Sequence, residues 1–292
     1  MNRVKGILWA ALSSSTFGLA PLFTLLLIGV GYSSFEVLTY RWGVASLCLG
    51  AYGLMAGCNF RLGRRELGTV FLLSIFRAAT SLSLVIAYQN IASGMASTIH
   101  FMYPLVVALV MMCFFRERGS VWTFAAIALS IVGAVLLSQG NAGFTRGDTT
   151  LGIVSSVVSV VAYGGYIVGV RKSRAVEIDS TVLTCYVMAF GALFFIIGGC
   201  FTGGIRLETD PRTWLCILGI ALPATALSNM ALVQAIKSIG PTLTSIFGAM
   251  EPVTAVVIGV CVFAEPFTVQ GAGGILLIVA AVTMVVLRSR RP

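Results

Sequence analysis

Three ionisable side chains lie deep inside apolar runs of this chain: Arg77, His100 and Glu251. A charge at the centre of a membrane helix costs about 2.5–3.5 kcal/mol on insertion scales, so it turns to the protein interior and finds a partner or a solute there. Glu251 is the one carboxylate deep in any run. Its chemistry is that of a proton carrier or a seat for an amine; equally, it can anchor kinked backbone through hydrogen bonds. Arg77 offers a planar fork of N–H donors that suits a carboxylate, a solute's or that of Glu251. Ser81 follows one turn later on the same helix face. His100, the chain's only histidine, suits a gate, a solute contact or a satisfied core position. Arg41 lies about two turns into its run and is expected to snorkel to the headgroups.

Other groups fall at similar depth. Phe17, Tyr103, Tyr163, Tyr166 and Phe247 lie near the centres of their runs, where an aromatic-lined pocket could stack a planar solute or the rings could simply pack. Thr225, Ser228 and Asn229 add polar groups at that level. Pro104 and Pro252 each lack an N–H, and each ring pushes against the carbonyl four residues back. Those carbonyls belong to His100 and Gly248. Unpaired carbonyls are tolerated at membrane depth only against protein or a wet cavity, and a kink at either proline would let its helix act as a gate.

The elements that must hold these residues follow from composition. Of 292 residues, 58% are hydrophobic and only 10% charged, with a mean hydropathy of +0.99. A soluble domain is about a quarter charged, so lipid must be the solvent for most of this surface. Ten membrane helices are expected, at 6–30, 34–56, 67–91, 93–115, 119–138, 151–170, 182–201, 213–236, 240–263 and 268–287. The first is read as a span that stays, despite Arg3 and Lys5 ahead of it. The net charge of +9 points to headgroups and topology, not nucleic acid, because the basic residues sit in short connections. Seven cysteines with no CxxC pair read as small buried hydrophobes.

The chain repeats itself. A single step carries Pro104 onto Pro252, and the same step carries Ser97 onto Ser245, Met102 onto Met250 and Glu117 onto Glu265. Further forward, Phe17-Gly18 echoes Tyr163-Gly164 and Val37-Leu38-Thr39 echoes Val182-Leu183-Thr184. The expected architecture is therefore all-α: two five-helix repeats, 1–138 and 151–292, joined by the polar connection 139–150 around a central cavity. Five spans is an odd number, so tandem copies must lie in opposite orientations. With the N-terminus inside, fourteen of the nineteen Lys and Arg residues fall on inner segments and three, Arg146, Arg206 and Arg212, on outer ones. That bias sets an N-in, C-in orientation.

Enzyme motifs are missing. There is no HExxH pair, Walker A or G-x-S-x-G sequence, so no catalytic residue, metal or cofactor is assigned. The run Gly271-Ala272-Gly273-Gly274 reads as small residues that let helices pack closely.

Glu251-Pro252-Val253 followed by Glu265-Pro266, the parallel Tyr103-Pro104-Leu105 with Glu117, and the five-helix duplication together resemble the drug/metabolite transporter superfamily in its ten-helix EamA-type branch. Within it the chain is most similar to the YddG-type amino-acid exporters. The resemblance implies a carrier of the inner membrane that works by alternating access, its cavity lined by helices one to four and six to nine, with helices four and nine as the gating pair. Amino acids or similar zwitterions, with a lean to aromatic ones, are the expected cargo, and protons a candidate coupling partner. Substrate contacts are expected from Phe17, Arg77, Ser81, His100, Tyr103, Tyr163, Asn229, Phe247 and Glu251. A monomer in the bilayer suffices for this scheme. The alternatives are a carrier of another metabolite or of a cationic drug and, in a different class, a non-transporting sensor or a membrane-embedded enzyme.

Overall fold

The computed structural model describes residues 3–91, 93–116, 120–138, 147–251, 253–254 and 269–289. Pro252, Glu117, Glu265, Pro266 and most of the 139–150 connection lie outside them. Among the described residues all regular structure is helical. The elements are α1 (Arg3–Phe17), α2 (Ala20–Gly29), α3 (Ser34–Met55), α4 (Arg64–Asn90), α5 (Ser93–His100), α6 (Tyr103–Phe115), α7 (Val121–Ser138), α8 (Thr149–Lys172) and α9 (Ser180–Phe201). Then come α10 (Pro211–Ala221), a π-helical turn (Leu222–Leu227), α11 (Ser228–Ile239), α12 (Pro241–Phe247) and α13 (Val269–Ser289).

The backbone of an apolar run in lipid has no water to bond, so it closes its own hydrogen bonds as a helix. Polar caps mark where several helices begin. Ser33 and Glu36 form a capping box at α3, with Glu36 N–H donating to Ser33 Oγ at 3.2 Å and Ser33 N–H to Glu36 Oε2 at 2.8 Å. Asp148, Asp179 and Asp210 accept from the first turns of α8, α9 and α10. Among the described residues five stretches are long and apolar enough to cross a membrane: Arg3–Gly29, Arg64–Asn90, Thr149–Lys172, Ser180–Phe201 and Pro211–Ile239. The expected spans 34–56, 67–91, 151–170 and 182–201 appear as α3, α4, α8 and α9. The first and fourth are instead broken in the middle, and the eighth carries the π turn.

Polarity is distributed as a lipid-facing bundle requires. Leu47, Leu54, Phe114, Phe201, Leu215 and Leu276 are exposed, whereas Arg41, Arg77, Ser74, Thr80, Ser159, Thr184 and Asn229 are buried. This is a multi-pass membrane bundle. Its most extensive pairings are α3 with α9, α4 with α8, α1 with α11 and α7 with α13. Small residues let them close. Trp42 lies on Gly191 of α9 where a β-carbon would otherwise stand, and its ring meets Phe195 edge-on at 5.2 Å. A β-carbon on Gly133 of α7 would come within 2.8 Å of the Gly274 carbonyl of α13, so the glycine run of the last helix is a packing surface.

Candidate functional site

Three chain breaks converge at the centre. Helical backbone loosens into turns at Gly18-Leu19, Phe101-Met102 and Gly248-Ala249. There the bonds tighten to three-residue steps, as in Leu19 N–H to Thr16 O (3.2 Å), Met102 N–H to Ile99 O (3.0 Å) and Ala249 N–H to Ile246 O (3.2 Å). Pro21 and Pro104 fall within the first two residues of the restarted helices α2 and α6, where a missing N–H costs nothing. The Gly248 carbonyl, expected to lack a helical partner, accepts from the Glu251 N–H at 2.9 Å. The breaks also touch. The Tyr103 hydroxyl occupies the space a β-carbon on Gly248 would take, and one on Gly18 would lie 2.8 Å from the Glu251 carbonyl.

Arg77, only 1% exposed, projects from α4 into this junction. Its Nε donates to Asn229 Oδ1 at 2.8 Å, and Asn229 Nδ2 donates back along its helix to the Thr225 carbonyl at 2.7 Å. The guanidinium carbon lies over the rings of Phe17 (5.2 Å), Tyr163 (5.0 Å) and Tyr166 (5.9 Å). Ring faces are electron-rich, so this cage stabilises a buried cation without neutralising it. Arg77 Nη1 has no hydrogen-bond partner. Arg41, expected at the headgroups, is instead 4% exposed: its Nε donates to Thr225 Oγ1 at 2.6 Å and its guanidinium stands over Phe17 at 5.6 Å. The burial follows from the π turn, which presents the Thr225 hydroxyl to it from the facing helix.

His100 closes α5 on the other side of the cage. Its Nδ1 is 2.8 Å from Ser159 Oγ, and that hydroxyl lies 2.6 Å from the Ser156 carbonyl. The carbonyl can only accept, so the serine donates to it and Nδ1–H donates to the serine. That leaves the lone pair on Nε2, which is buried and unpaired. The imidazole packs on Tyr103 (5.4 Å) and Tyr163 (5.1 Å), and the two tyrosines meet edge-on at 4.6 Å. Phe17 and Tyr163 are near-parallel, 6.4 Å apart and inclined by 12°.

Beside His100 a cavity is lined by Phe17, Gly18, Pro21, Tyr88, Ser97, His100 and Glu251. Its volume of about 20 Å³ admits about one water molecule. Glu251 lines this space, and among the described residues no side chain donates to its carboxyl and no cation pairs with it. An ion pair among the described residues, Arg206 with Glu36 at 3.0 Å, lies at the end of the bundle.

Of the residues singled out by the sequence, the structure brings Phe17, Arg77, His100, Tyr103, Tyr163, Asn229 and Glu251 into one region. Ser81 is buried one turn beyond Arg77, its hydroxyl unpartnered. Phe247 packs elsewhere, with Ala10 and Ala235 between α1 and α11. Pro104 sits at the α5–α6 break; Pro252 is outside the described residues. Reading the sequence missed Tyr88 and Ser97, whose oxygens are 3.5 Å apart across the cavity wall, and the Ser159 partner of His100. Ser156 and Ser159 on one face of an apolar helix were the available signal.

The sequence pattern of the EamA-like transporter family matches residues 4–139 and again residues 150–287. Among individual proteins, the uncharacterized transporter YetK of Bacillus subtilis is 21% identical over 65% of this chain, and the chain spans only 58% of its length. An uncharacterized transporter of Archaeoglobus fulgidus is 24% identical over 81% of this chain and 82% of its own. The uncharacterized transporter YojE of Bacillus subtilis is 24% identical over 90% and 87%. A protein of known crystal structure has the same fold, with a TM-score of 0.85 at 16% identity over 99% of this chain and 98% of that one. With its pattern found along both halves of a polytopic helical bundle, this chain belongs to the EamA-like transporter family.

Proposed function

We propose that this transporter exports amino acids, aromatic ones foremost, across the cell inner membrane by alternating access between two inverted five-helix repeats. The observation that carries the substrate class is the Arg77 guanidinium, held by Asn229 at 2.8 Å among aromatic faces with its Nη1 unpaired. A carboxylate completes that donor, the rings of Phe17, Tyr163 and Tyr103 offer surfaces for a planar side chain, and Glu251 offers a seat for an ammonium group. The cavity beside His100 has room for about one water, so cargo of amino-acid size enters that space only when its walls part.

The inverted-repeat reading is supported by which helices meet. Exchanging the two halves turns the pairing of α1 with α11 into that of α8 with α4, and returns α3 with α9 and α7 with α13 to themselves. The residues that stack across the centre, Phe17 and Tyr163, hold matching places in the two copies. The basic residues put both termini inside. Such carriers bind at the repeat interface and rock one bundle against the other. Helices broken at Phe101-Met102 and Gly248-Ala249 supply the bending points, with Pro104 and Pro252 as gating residues, and a protonatable Glu251 supplies the means to couple movement to protons.

Counterflow in proteoliposomes tests this directly. Purified protein loaded with unlabelled phenylalanine is expected to accumulate labelled phenylalanine saturably, with competition from tyrosine and tryptophan and none from choline. Competition by cationic drugs instead of amino acids would favour the alternative cargo.

A further inference from the structure

Two arginines, not one, are buried at the centre, and the second has no counterpart in a zwitterion. Both are tethered in the same way. Arg77 Nε donates to Asn229 and Arg41 Nε donates to Thr225, one turn apart on the helix opposite. Both guanidinium carbons stand over the Phe17 ring, at 5.2 and 5.6 Å. A guanidinium held through Nε leaves its two Nη groups, the fork that grips an oxyanion bidentately, pointing away from the tether. Arg77 Nη1 is buried without a partner, and no acceptor among the described residues takes the Nη groups of Arg41.

Charge makes the same point. Like charges sharing a low-dielectric site repel, and aromatic faces soften that without cancelling it. Glu251 is the nearby acid, yet among the described residues it pairs with neither arginine. Counted over the described residues, an ionised Glu251 leaves the site with one uncompensated positive charge; a protonated one, with two. A zwitterion brings no net charge and cancels neither.

We infer that Arg41 and Arg77 form a two-guanidinium clamp and that the preferred cargo is a carboxylate compound of net negative charge, such as an acidic amino acid or an aromatic 2-oxo acid. This rests on the transporter reading above and shifts its preferred substrate from a zwitterion to an anion: Arg77 takes the first carboxylate, Arg41 the second oxyanion or the same one shared. Thr225 acts as a positioning residue that aims the Arg41 fork.

The test compares cargos matched in shape and differing in charge. In counterflow, glutamate is expected to show a KM at least about tenfold below that of glutamine, and phenylpyruvate below that of phenylalanine, a step of the size that one added charge-assisted contact gives. Arg41→Gln is expected to bring each pair within about twofold, while Arg41→Lys keeps part of the preference because the charge remains without the fork. Equal KM values within both pairs in the unmodified protein, or a preference unchanged in Arg41→Gln, would overturn the clamp and leave amino-acid export standing. If none of the four compounds moves, the transport reading fails, and the clamp is read from thermal stabilisation of the detergent-purified protein. Succinate should then raise its Tm where succinamide does not, and Arg41→Gln should abolish the difference. Equal shifts would sink the clamp too. Should Arg41→Gln not fold, Thr225→Val, which cuts the tether and keeps the charge, is expected to weaken the anion preference in the same assays; an intact preference there overturns the clamp.

Discussion

Arg77 Nε and Asn229 Oδ1 lie 2.8 Å apart and join α4 in the first half of the chain to α11 in the second. The bond fixes the guanidinium plane, and the rings of Phe17, Tyr163 and Tyr166 fill the space around it. A long, flexible side chain is thereby held in one orientation with an N–H to spare. Any movement of one half against the other must break this bond or carry both residues together.

Removing the acceptor should therefore cost stability. Asn229→Leu orphans a buried charged donor, and the loss is expected to be about 1–3 kcal/mol, read as a lower Tm in detergent. Asn229→Asp keeps the geometry and supplies an anion. It is expected to hold the Tm near that of the unmodified protein while raising the KM for carboxylate cargo about tenfold or more, because the fixed carboxylate competes for Arg77. An unaltered KM in Asn229→Asp would remove Arg77 from carboxylate binding.

Arg77→Ala separates recognition of the carboxylate from recognition of the rest of the cargo. Transport of an amino acid is expected to fall about tenfold to a hundredfold in kcat/KM, as for loss of a buried charge-assisted contact. Transport of the corresponding decarboxylated amine, slow to begin with, should change little. Equal losses for acid and amine would mean that the arginine only holds α4 against α11.

Glu251→Gln addresses coupling. The amide has the same shape and cannot carry a proton, so export driven by a pH gradient is expected to lose its pH dependence while counterflow at equal pH persists. A pH profile and Tm both unchanged from the unmodified protein would strip Glu251 of the coupling role and of the structural one. A lower Tm with the pH profile intact would leave it as an anchor for the turn at Gly248-Ala249.

The bundle was legible because lipid imposes one rule on every span, and apolar runs between basic connections obey it. The convergence of Phe17, Arg77, His100, Tyr103, Tyr163, Asn229 and Glu251 was legible because polar and aromatic residues in apolar runs must turn inward. Arg41 was not. Two turns from a helix end, sequence distance alone suits snorkelling, and what draws the residue inward is the Thr225 hydroxyl, displayed by a π turn that no sequence spacing specifies. The break at Gly18-Leu19 was missed for a related reason: Pro21 marked it, but nothing local says that the Glu251 backbone passes within reach of Gly18. The step that carries Pro104 onto Pro252 also carries Arg77 onto Thr225 and Ser81 onto Asn229. The same repeat position thus donates in one half and accepts in the other.

The contact between Tyr103 and Gly248 gives the sharpest packing prediction, because it sits where two broken helices cross. A methyl at Gly248 would fall on the Tyr103 hydroxyl and 2.7 Å from its Cζ. Gly248→Ala is expected to cost about 1–3 kcal/mol of stability by overpacking and, under the proposed alternating access, to slow turnover more than it weakens binding. Tyr103→Phe removes the oxygen but leaves the ring carbon too close, so the double variant should recover only part of the lost Tm. Tyr103→Leu in the same background clears the space and should recover more. This ordering, Gly248→Ala below its pair with Tyr103→Phe and that below its pair with Tyr103→Leu, can be read from three melting curves. Additive losses without any recovery would mean that the tyrosine does not rest on the glycine, and the crossing of the two helices would have to lie elsewhere.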